Sequence, residues 1–178
     1  MREPLSLDSL HSFFKALAAE ATASSRVYLV GGASAVLLGW RTATIDIDLK
    51  IIPETDELLR RLPRLKERLK LNIELAAPDD FIPELPGWQD RSRFIEQQGK
   101  LSFYHYDFYA QALAKIERGH DIDEIDVQRF FADGLIESAR LLELYAAIEN
   151  QIYRYPAIDA TTFRRSVERA VGAYGRLR

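Results

Sequence analysis

The 178-residue sequence contains no cysteine and only three histidines. Without cysteine the chain has no disulfide, no zinc–thiolate site and no thiol nucleophile. The histidines, His11, His105 and His120, are too few to predict a polyhistidine metal centre. Any bound metal is therefore expected to be a hard cation held by carboxylate oxygens.

Long hydrophobic runs are also missing from the chain. No stretch approaches the length of a membrane-spanning helix. Four polar or charged residues interrupt the apolar residues at the N-terminus, so no secretory signal is predicted; they are Arg2, Glu3, Asp8 and His11. These features and the lack of cysteine predict a cytoplasmic protein. The formal net charge of -3 argues against a surface that is basic throughout, but it is compatible with a local basic groove for nucleic acid.

The periodicity of the hydrophobic residues divides the chain into an α/β part and a helical part. A chain of 178 residues with 47% hydrophobic residues suits one domain with one core. We expect a single domain over 1–178, with an α/β core over 1–105 and a helical part over 106–178. The expected fold is of the α/β (α+β) class, with a mixed sheet flanked by helices. The predicted elements are helix 5–23, strand 27–30, helix 33–38, strand 44–52, helix 55–70, strand 71–75, a hairpin of 93–96 and 101–105, and helices through 110–118, 123–132, 137–154 and 161–174.

Capping residues and helix breakers mark several of the predicted helix ends. Ser6 or Asp8 can cap the first helix, and Asp107 can cap the helix that Gly119 ends. Pro63 is expected to divide the third helix, either by starting a second helix at this point or by introducing a kink.

The strand over 44–52 alternates between apolar and charged residues. Asp46 and Asp48 therefore project from one face, close enough to share a cation. Neighbouring carboxylates repel each other and aspartate is a poor strand residue, so the pair breaks local preference and points to a functional site. The alternative is the solvated face of an edge strand. The apolar face is predicted to hold Ile45, Ile47, Leu49 and Ile51, and the charged face Asp46, Asp48 and Lys50.

Gly31 and Gly32 follow the strand over 27–30 directly and lead into a helix. Glycine permits a close backbone approach and a positive φ, and exposed amides at the start of a helix can bind phosphate. An ordinary tight turn is the alternative. The succession of strand, glycine turn, short helix and Asp-x-Asp strand favours a phosphate site.

Two groups of residues carry a resemblance to a known superfamily. The first consists of 30–38 (VGGASAVLL), Arg41, Thr44 and 46–49 (DIDL), and the second of 112–115 (ALAK), Arg118, Asp123 and Asp126. They resemble the signature of the nucleotidyltransferase superfamily, in the minimal type related to the abortive-infection toxins AbiEii and AbiGii. The second group is similar to the helical motif that follows the sheet in those proteins. Together the motifs cover most of the domain.

The resemblance implies a role for each of these positions. Asp46 and Asp48 would be catalytic ligands of Mg²⁺ or Mn²⁺. Glu74, on the charged face of the next strand, would be the third acidic residue, and a plain surface residue is its alternative. The superfamily usually has Gly-Ser in the turn and aspartate as the third acid, where this chain has Gly-Gly and Glu74. The nucleotide-binding residues implied by the resemblance are Gly31, Gly32, Ser34, Arg41, Thr44, Lys115, Arg118 and Asp123.

Lys115 and Asp123 each have a second interpretation. Lys115 suits a phosphate contact, but it could also be a solvated helix lysine, and the same holds for Arg118. Asp123 could orient Lys115 or approach the metal, or it could belong to an acidic first turn that favours a helix N-terminus.

The implied activity is Mg²⁺-dependent transfer of a nucleoside monophosphate from a nucleoside triphosphate to a hydroxyl group. The acceptor would be an RNA, such as a tRNA end, or a partner protein, in a toxin–antitoxin or phage-defence setting. The alternative is a catalytically degenerate member of the fold that binds a nucleotide, an RNA or a partner protein such as an antitoxin. The position of Glu74 relative to Asp46 and Asp48 distinguishes the two. No pattern in the sequence indicates the oligomeric state.

Overall fold

The computed structural model describes residues 4–175. It confirms the predicted α/β class, with helices flanking a five-stranded mixed sheet. Within the described range, no helix is both long and apolar enough to cross a membrane. The elements are α1 (Leu7–Glu20), β1 (Ser25–Val30), α2 (Gly31–Leu37), β2 (Asp46–Ile52), α3 (Asp56–Leu69), β3 (Asn72–Leu75), α4 (Trp88–Arg91), β4 (Arg93–Gln98), β5 (Leu101–His105), α5 (Phe108–Arg118), α6 (Asp121–Ala132), α7 (Ser138–Glu149) and α8 (Ala160–Tyr174), with short 3₁₀ turns at Pro78–Asp80 and Ile152–Arg154.

Contacts within the chain group its residues into two compact units. The first unit consists of Met1–Ala77 and Ser92–Tyr106 and contains the sheet with α1, α2 and α3. The second unit consists of Pro78–Arg91 and Asp107–Arg178 and contains α4 to α8. The segment between β3 and β4 therefore belongs to the helical unit, although strands of the sheet precede and follow it.

The sheet has the strand order β3-β2-β1-β5-β4. β1 lies at its centre, antiparallel to β2 and parallel to β5, and its residues Val27, Tyr28 and Leu29 are fully buried. β4 and β5 form the predicted antiparallel hairpin. β2 and β3 pair in parallel, and the crossover that such a pair requires runs through α3.

One hydrophobic cluster joins the sheet to α1 and α3. Ile47, Leu49 and Ile51 of β2 enter this cluster and are at most 1% exposed. Phe14 of α1 stacks on Phe103 of β5, with ring centroids 4.1 Å apart. Because successive strand residues point to opposite faces, burial of this set directs the intervening residues of β2 away from the cluster.

The helical unit has a core of its own, in which α5 contacts α6, α7 and α8. Phe108 of α5 lies against Phe130 of α6, with ring centroids 5.6 Å apart. Tyr145 of α7 meets Phe163 of α8 edge to face at 5.2 Å. Because α5 contacts the other three helices, even its Lys115 is buried, with 8% of the residue exposed.

The position of Ile45 differs from the prediction. The sequence predicts Ile45 on the buried face of the second strand, but the residue is 61% exposed. The reason is that β2 begins only at Asp46, the residue after Ile45, so Ile45 lies outside the strand. The preceding residue, Thr44, instead pairs with Leu5 through two backbone hydrogen bonds of 2.6 and 3.0 Å.

Pro63 lies inside a single helix, α3, so the predicted start of a second helix at this residue is wrong. Leu58, Leu62 and Leu65 of α3 are buried in the core of the first unit. Burying each of these side chains stabilises the helix by about 1.5–3 kcal/mol, which together outweighs the roughly 3 kcal/mol that an interior proline costs.

The predicted helix caps are confirmed. Ser6 Oγ accepts a hydrogen bond from the Ser9 backbone N–H at 3.3 Å and so caps α1. Asp107 Oδ1 accepts one from the Tyr109 N–H at 3.2 Å and caps α5. Gly119 ends α5 in the left-handed region, with a φ of +70°.

Candidate metal and nucleotide site

Asp46 and Asp48 lie on the face of β2 opposite the hydrophobic core. Exposure alternates along β2 as predicted, and Asp46 is exposed while Asp48 is half-buried. Two residues apart on a strand, their Cα atoms are separated by about 7 Å, a spacing at which two carboxylates can approach one ion. The shared face expected from the sequence is therefore present in the fold.

β3 brings Glu74 beside this pair. In the parallel register, Glu74 lies opposite Asp48, and Asn72 lies opposite Asp46. Directly opposed residues share a face of the sheet, so three carboxylates and one amide form a two-by-two array on the same side. Glu74 is exposed to solvent.

The amide of Asn72 connects two of these carboxylates. Its Nδ2 donates to Asp46 Oδ1 at 2.5 Å and to Glu74 Oε1 at 3.0 Å. Asn72 lies two residues before Glu74, so strand alternation puts both on one face, but no sequence pattern indicates a role for it. The spacing from Glu74 is visible in the sequence, whereas the pairing with Asp46 depends on the register of two strands joined by a helix.

The donor set suits a hard divalent cation such as Mg²⁺ or Mn²⁺, because it consists of carboxylate oxygens open to water. Asp46 and Asp48 would hold such an ion from one strand. Among the described residues, however, no three acidic or histidine side chains converge so that they could hold a metal ion. The expected ligands Asp46, Asp48 and Glu74 thus share a face without closing around one point, and the Asn72 amide lies between two of them.

The glycine turn lies directly beside Asp48. α2 begins at Gly31, whose φ of +60° falls in the left-handed region that glycine adopts freely. A Cβ atom on Gly31 would lie 3.4 Å from Oδ2 of Asp48. The fold therefore brings the predicted phosphate turn together with one of the predicted metal ligands.

Gly32 is constrained by space rather than by its φ angle. A Cβ atom at this position would lie 2.2 Å from Oγ1 of Thr44 and 3.6 Å from Nη1 of Arg41. Thr44 is fixed by its backbone pairing with Leu5, and its hydroxyl donates to the Asp46 carbonyl oxygen at 3.1 Å. The Thr44 hydroxyl thus occupies the space that a serine side chain would need, which accounts for the second glycine of the turn.

A family model described as nucleotidyltransferase of unknown function (DUF6036) matches residues 6–170. The chain belongs to this family. The match includes the glycine turn, β2 and β3 of the first unit and α5 and α6 of the second. It confirms the predicted nucleotidyltransferase superfamily, while the closer likeness to AbiEii and AbiGii stays a prediction. No curated protein and no solved structure matches the chain.

In this member of the DUF6036 family, the predicted nucleotide-binding residue Ser34 lies inside the first unit. Ser34 is 1% exposed, and its hydroxyl forms a 2.7 Å hydrogen bond with Nδ1 of His105 at the end of β5. Burial, and secondarily the charge of Arg93, lowers the pKa of His105 to about 4, so the imidazole is neutral near pH 7. The pair joins α2 to β5, and a nucleotide contact by Ser34 stays a prediction.

The DUF6036 match also includes a charged network inside the helical unit. Lys115 Nζ lies 3.3 Å from Asp123 Oδ1 and 2.8 Å from Asp126 Oδ2. Arg118 makes a two-point contact with Asp123, at 2.7 Å from Nε and 2.5 Å from Nη2. Both aspartates are at most 3% exposed, whereas the side chain of Arg118 is 55% exposed.

This geometry bears on the interpretations of Lys115 and Asp123, and Asp123 both contacts Lys115 and belongs to the acidic first turn of α6. The solvated lysine is wrong, because the neighbouring helices enclose Lys115, and the predicted contact between Asp123 and Lys115 is confirmed. Burial raises the pKa of Asp123, but the hydrogen bonds and charges of Arg118 and Lys115 outweigh burial and hold this pKa below its ordinary value. Two cations face two carboxylates, so their formal charges cancel. A phosphate contact by Lys115 or Arg118 stays a prediction.

Proposed function

We propose that the chain is an enzyme that uses Mg²⁺ or Mn²⁺ to transfer a nucleoside monophosphate from a nucleoside triphosphate to a hydroxyl acceptor. The observation that carries this proposal is the carboxylate array, with Asp46 and Asp48 on one face of β2 and Glu74 opposite Asp48. Membership of a nucleotidyltransferase family supports the type of reaction. The glycine turn beside Asp48 supports a triphosphate as the donor.

Asp46 and Asp48 would hold the metal ion through their carboxylate oxygens. When bound, the ion supplies positive charge that offsets the charge of the phosphates and of the leaving pyrophosphate. Glu74 would complete the ligand set or accept the proton of the attacking hydroxyl group.

The glycine turn would position the triphosphate beside these carboxylates. Gly31 and Gly32 carry no side chain, so phosphate oxygens would be able to come close to the backbone of the turn. Arg41 lies at the same turn, and its planar guanidinium can donate two hydrogen bonds to one phosphate. Catalysis would then depend mainly on positioning and on electrostatic stabilisation.

The acceptor would be a tRNA end or another RNA hydroxyl, or a hydroxyl of a partner protein, in a toxin–antitoxin or phage-defence setting. This part of the proposal is supported by the resemblance of 30–38 and 46–49 to AbiEii and AbiGii. In such a setting, an antitoxin protein would be the natural binding partner.

A second candidate is a degenerate member of the family that binds a nucleotide, an RNA or a partner protein without transfer. One observation favours it: among the described residues, no three acidic side chains converge to hold an ion. Binding of Mg²⁺-nucleotide without any transfer would be its signature.

The test is transfer of label from each α-³²P nucleoside triphosphate, with Mg²⁺, to bulk tRNA and to the protein itself. The Asp46→Asn/Asp48→Asn variant removes both proposed ligands and should reduce transfer by more than about a hundredfold. Glu54→Gln/Asp56→Asn is the matched control, because these two exposed carboxylates have the same spacing in the same unit. Label that disappears only in the first variant supports the enzyme and identifies its acceptor class.

Absence of label with all four nucleotides and both acceptors would count against the enzyme. A calorimetric titration with Mg²⁺-nucleotide then separates the remaining cases. Binding that needs Asp46 and Asp48 would support the non-transferring candidate, and absence of binding would overturn the proposed nucleotide site altogether.

A further inference from the structure

We propose that the Asn72 amide acts as a cation surrogate that keeps Glu74 out of the metal site until a metal displaces it. Asn72 would in this way set the metal affinity of the site. The inference rests on the proposed function, since it assumes that Asp46 and Asp48 bind a divalent ion. It makes Asn72 a positioning residue, which acts through Glu74 and Asp46.

The geometry gives Asn72 a unique place in the array. The three other members, Asp46, Asp48 and Glu74, are carboxylates, which accept hydrogen bonds when ionised, whereas an asparagine amide nitrogen has two N–H groups to donate. One N–H reaches Asp46 at 2.5 Å and the other reaches Glu74 at 3.0 Å. Both donors of the nitrogen are therefore used by carboxylates from two different strands.

Electrostatics explains why this arrangement suits the metal-free protein. Two carboxylates held close together repel each other unless a positive group or a hydrogen-bond donor lies between them. The Asn72 nitrogen, with its two partially positive hydrogens, is such a donor and reduces the repulsion between Asp46 and Glu74. A divalent cation would reduce this repulsion more strongly, because it carries a full double charge and binds carboxylate oxygens directly.

The amide and the ion therefore compete for the same oxygens. An ion that binds Oδ1 of Asp46 and Oε1 of Glu74, the two oxygens that face each other across Asn72 Nδ2, requires lone pairs that these atoms direct towards the amide. An ion that binds through these two oxygens must weaken or break at least one of the hydrogen bonds. Removing the amide takes a stabilising hydrogen-bond donor away from the metal-free array. The metal-bound array is not destabilised, because there the ion has replaced this donor.

The experiment measures Mn²⁺ binding to the full chain at fixed ionic strength, from the electron paramagnetic resonance signal of free Mn²⁺. Asn72→Ala should tighten binding about tenfold, the equivalent of one charge-assisted hydrogen bond that no longer stabilises the metal-free state. The gain should disappear in Asn72→Ala/Glu74→Gln relative to Glu74→Gln alone, because it depends on the release of Glu74. Gln97→Ala is the control, since it removes a side-chain amide from β4, the other edge strand of the sheet, and should leave the affinity unchanged.

Thermal unfolding without metal shows that each variant is folded, and added Mn²⁺ should raise the unfolding temperature of Asn72→Ala more than that of the native protein. Weaker or unchanged Mn²⁺ binding by Asn72→Ala would overturn the inference alone, provided that the native protein binds Mn²⁺ and Asp46→Asn does not. A gain that persists in the Glu74→Gln background would overturn it as well. Absence of Mn²⁺ binding by the native protein would overturn the proposed function, and the inference with it.

Discussion

At the scale of single residues, the side chain of Thr44 and any side chain at position 32 require the same space. A Cβ atom on Gly32 would lie 2.2 Å from Oγ1 and 3.0 Å from Cβ of Thr44. The backbone of Thr44 has little freedom to move, because both its N–H and its carbonyl oxygen are hydrogen-bonded to Leu5. The second glycine of the turn is thus a consequence of packing, and its effect on stability can be tested apart from catalysis.

Gly32→Ala should destabilise the protein by about 1–3 kcal/mol through overpacking, although glycine to alanine in a helix usually stabilises by about 0.5–1 kcal/mol. Thr44→Ala removes the closest atom and should reduce this penalty, which gives a coupling energy of about 1 kcal/mol or more. Urea unfolding of the two single variants and the double variant measures the coupling. Gly172→Ala in α8 is the matched control, because its Cβ would meet no atom within 4 Å and the change should stabilise. Equal effects at positions 32 and 172 would contradict the packing argument.

Single residues also show where sequence reasoning succeeds and where it stops. Asp46 and Asp48 could be predicted as a pair because both lie on one strand, whose alternation is visible in the sequence. The roles of Asn72 and Thr44 depend on atoms of other segments, Asp46 and Glu74 in one case and Gly32 in the other. Contacts between different segments produce no periodic pattern in the sequence.

At the scale of elements, a hydrogen bond joins His105 at the end of β5 to Ser34 of α2. Burial is the main reason that its pKa is lowered from 6.5 to about 4. The folded protein therefore keeps His105 neutral down to about pH 4, whereas the unfolded chain takes up a proton near pH 6.5. Unfolding binds a proton between these values, so acid favours the unfolded state in this window.

His105 should cost the protein about 2 kcal/mol of stability on going from pH 7.5 to pH 5. His105→Gln retains a side chain that can bond Ser34 but removes the titration, so its stability should fall less over the same range. Urea unfolding at pH 7.5, 6 and 5 tests this, with His11→Gln as a control at a more exposed histidine. The idea fails if His105→Gln and the native protein lose stability in parallel.

The contact between α5 and α6 contains the buried charges of Lys115, Asp123 and Asp126. Lys115→Met should destabilise the protein by about 3–5 kcal/mol, because it leaves buried carboxylates without a cation that they contact. Lys15→Met on α1 removes an exposed lysine and should change stability by less than about 0.5 kcal/mol. Chemical unfolding compares the two, and a cost below about 1 kcal/mol for Lys115→Met would show that the network is not held together by this lysine.

At the scale of the whole molecule, the class of fold could be predicted because its signals are local. Alternation over 44–52 and helical periodicity after Asp107 each lie within one element and need no knowledge of a partner. Strand order and the register of β2 against β3 depend on pairing between distant segments. The burial of Lys115 likewise follows from helices that come later in the chain, so the sequence around Lys115 alone does not indicate it.

The segment between β3 and β4 affects how the chain can fold as it leaves the ribosome. Ile82, Leu85 and Trp88 lie in this segment and are at most 2% exposed in the finished protein. Synthesis completes the first unit once Tyr106 has emerged, yet the helical unit with which these three residues group is then only beginning to appear. Until α5 to α8 follow, the nascent chain presents these apolar side chains to water, in the state that chaperones recognise. We therefore expect the nascent chain to be prone to aggregation between the completion of its sheet and the completion of its helices.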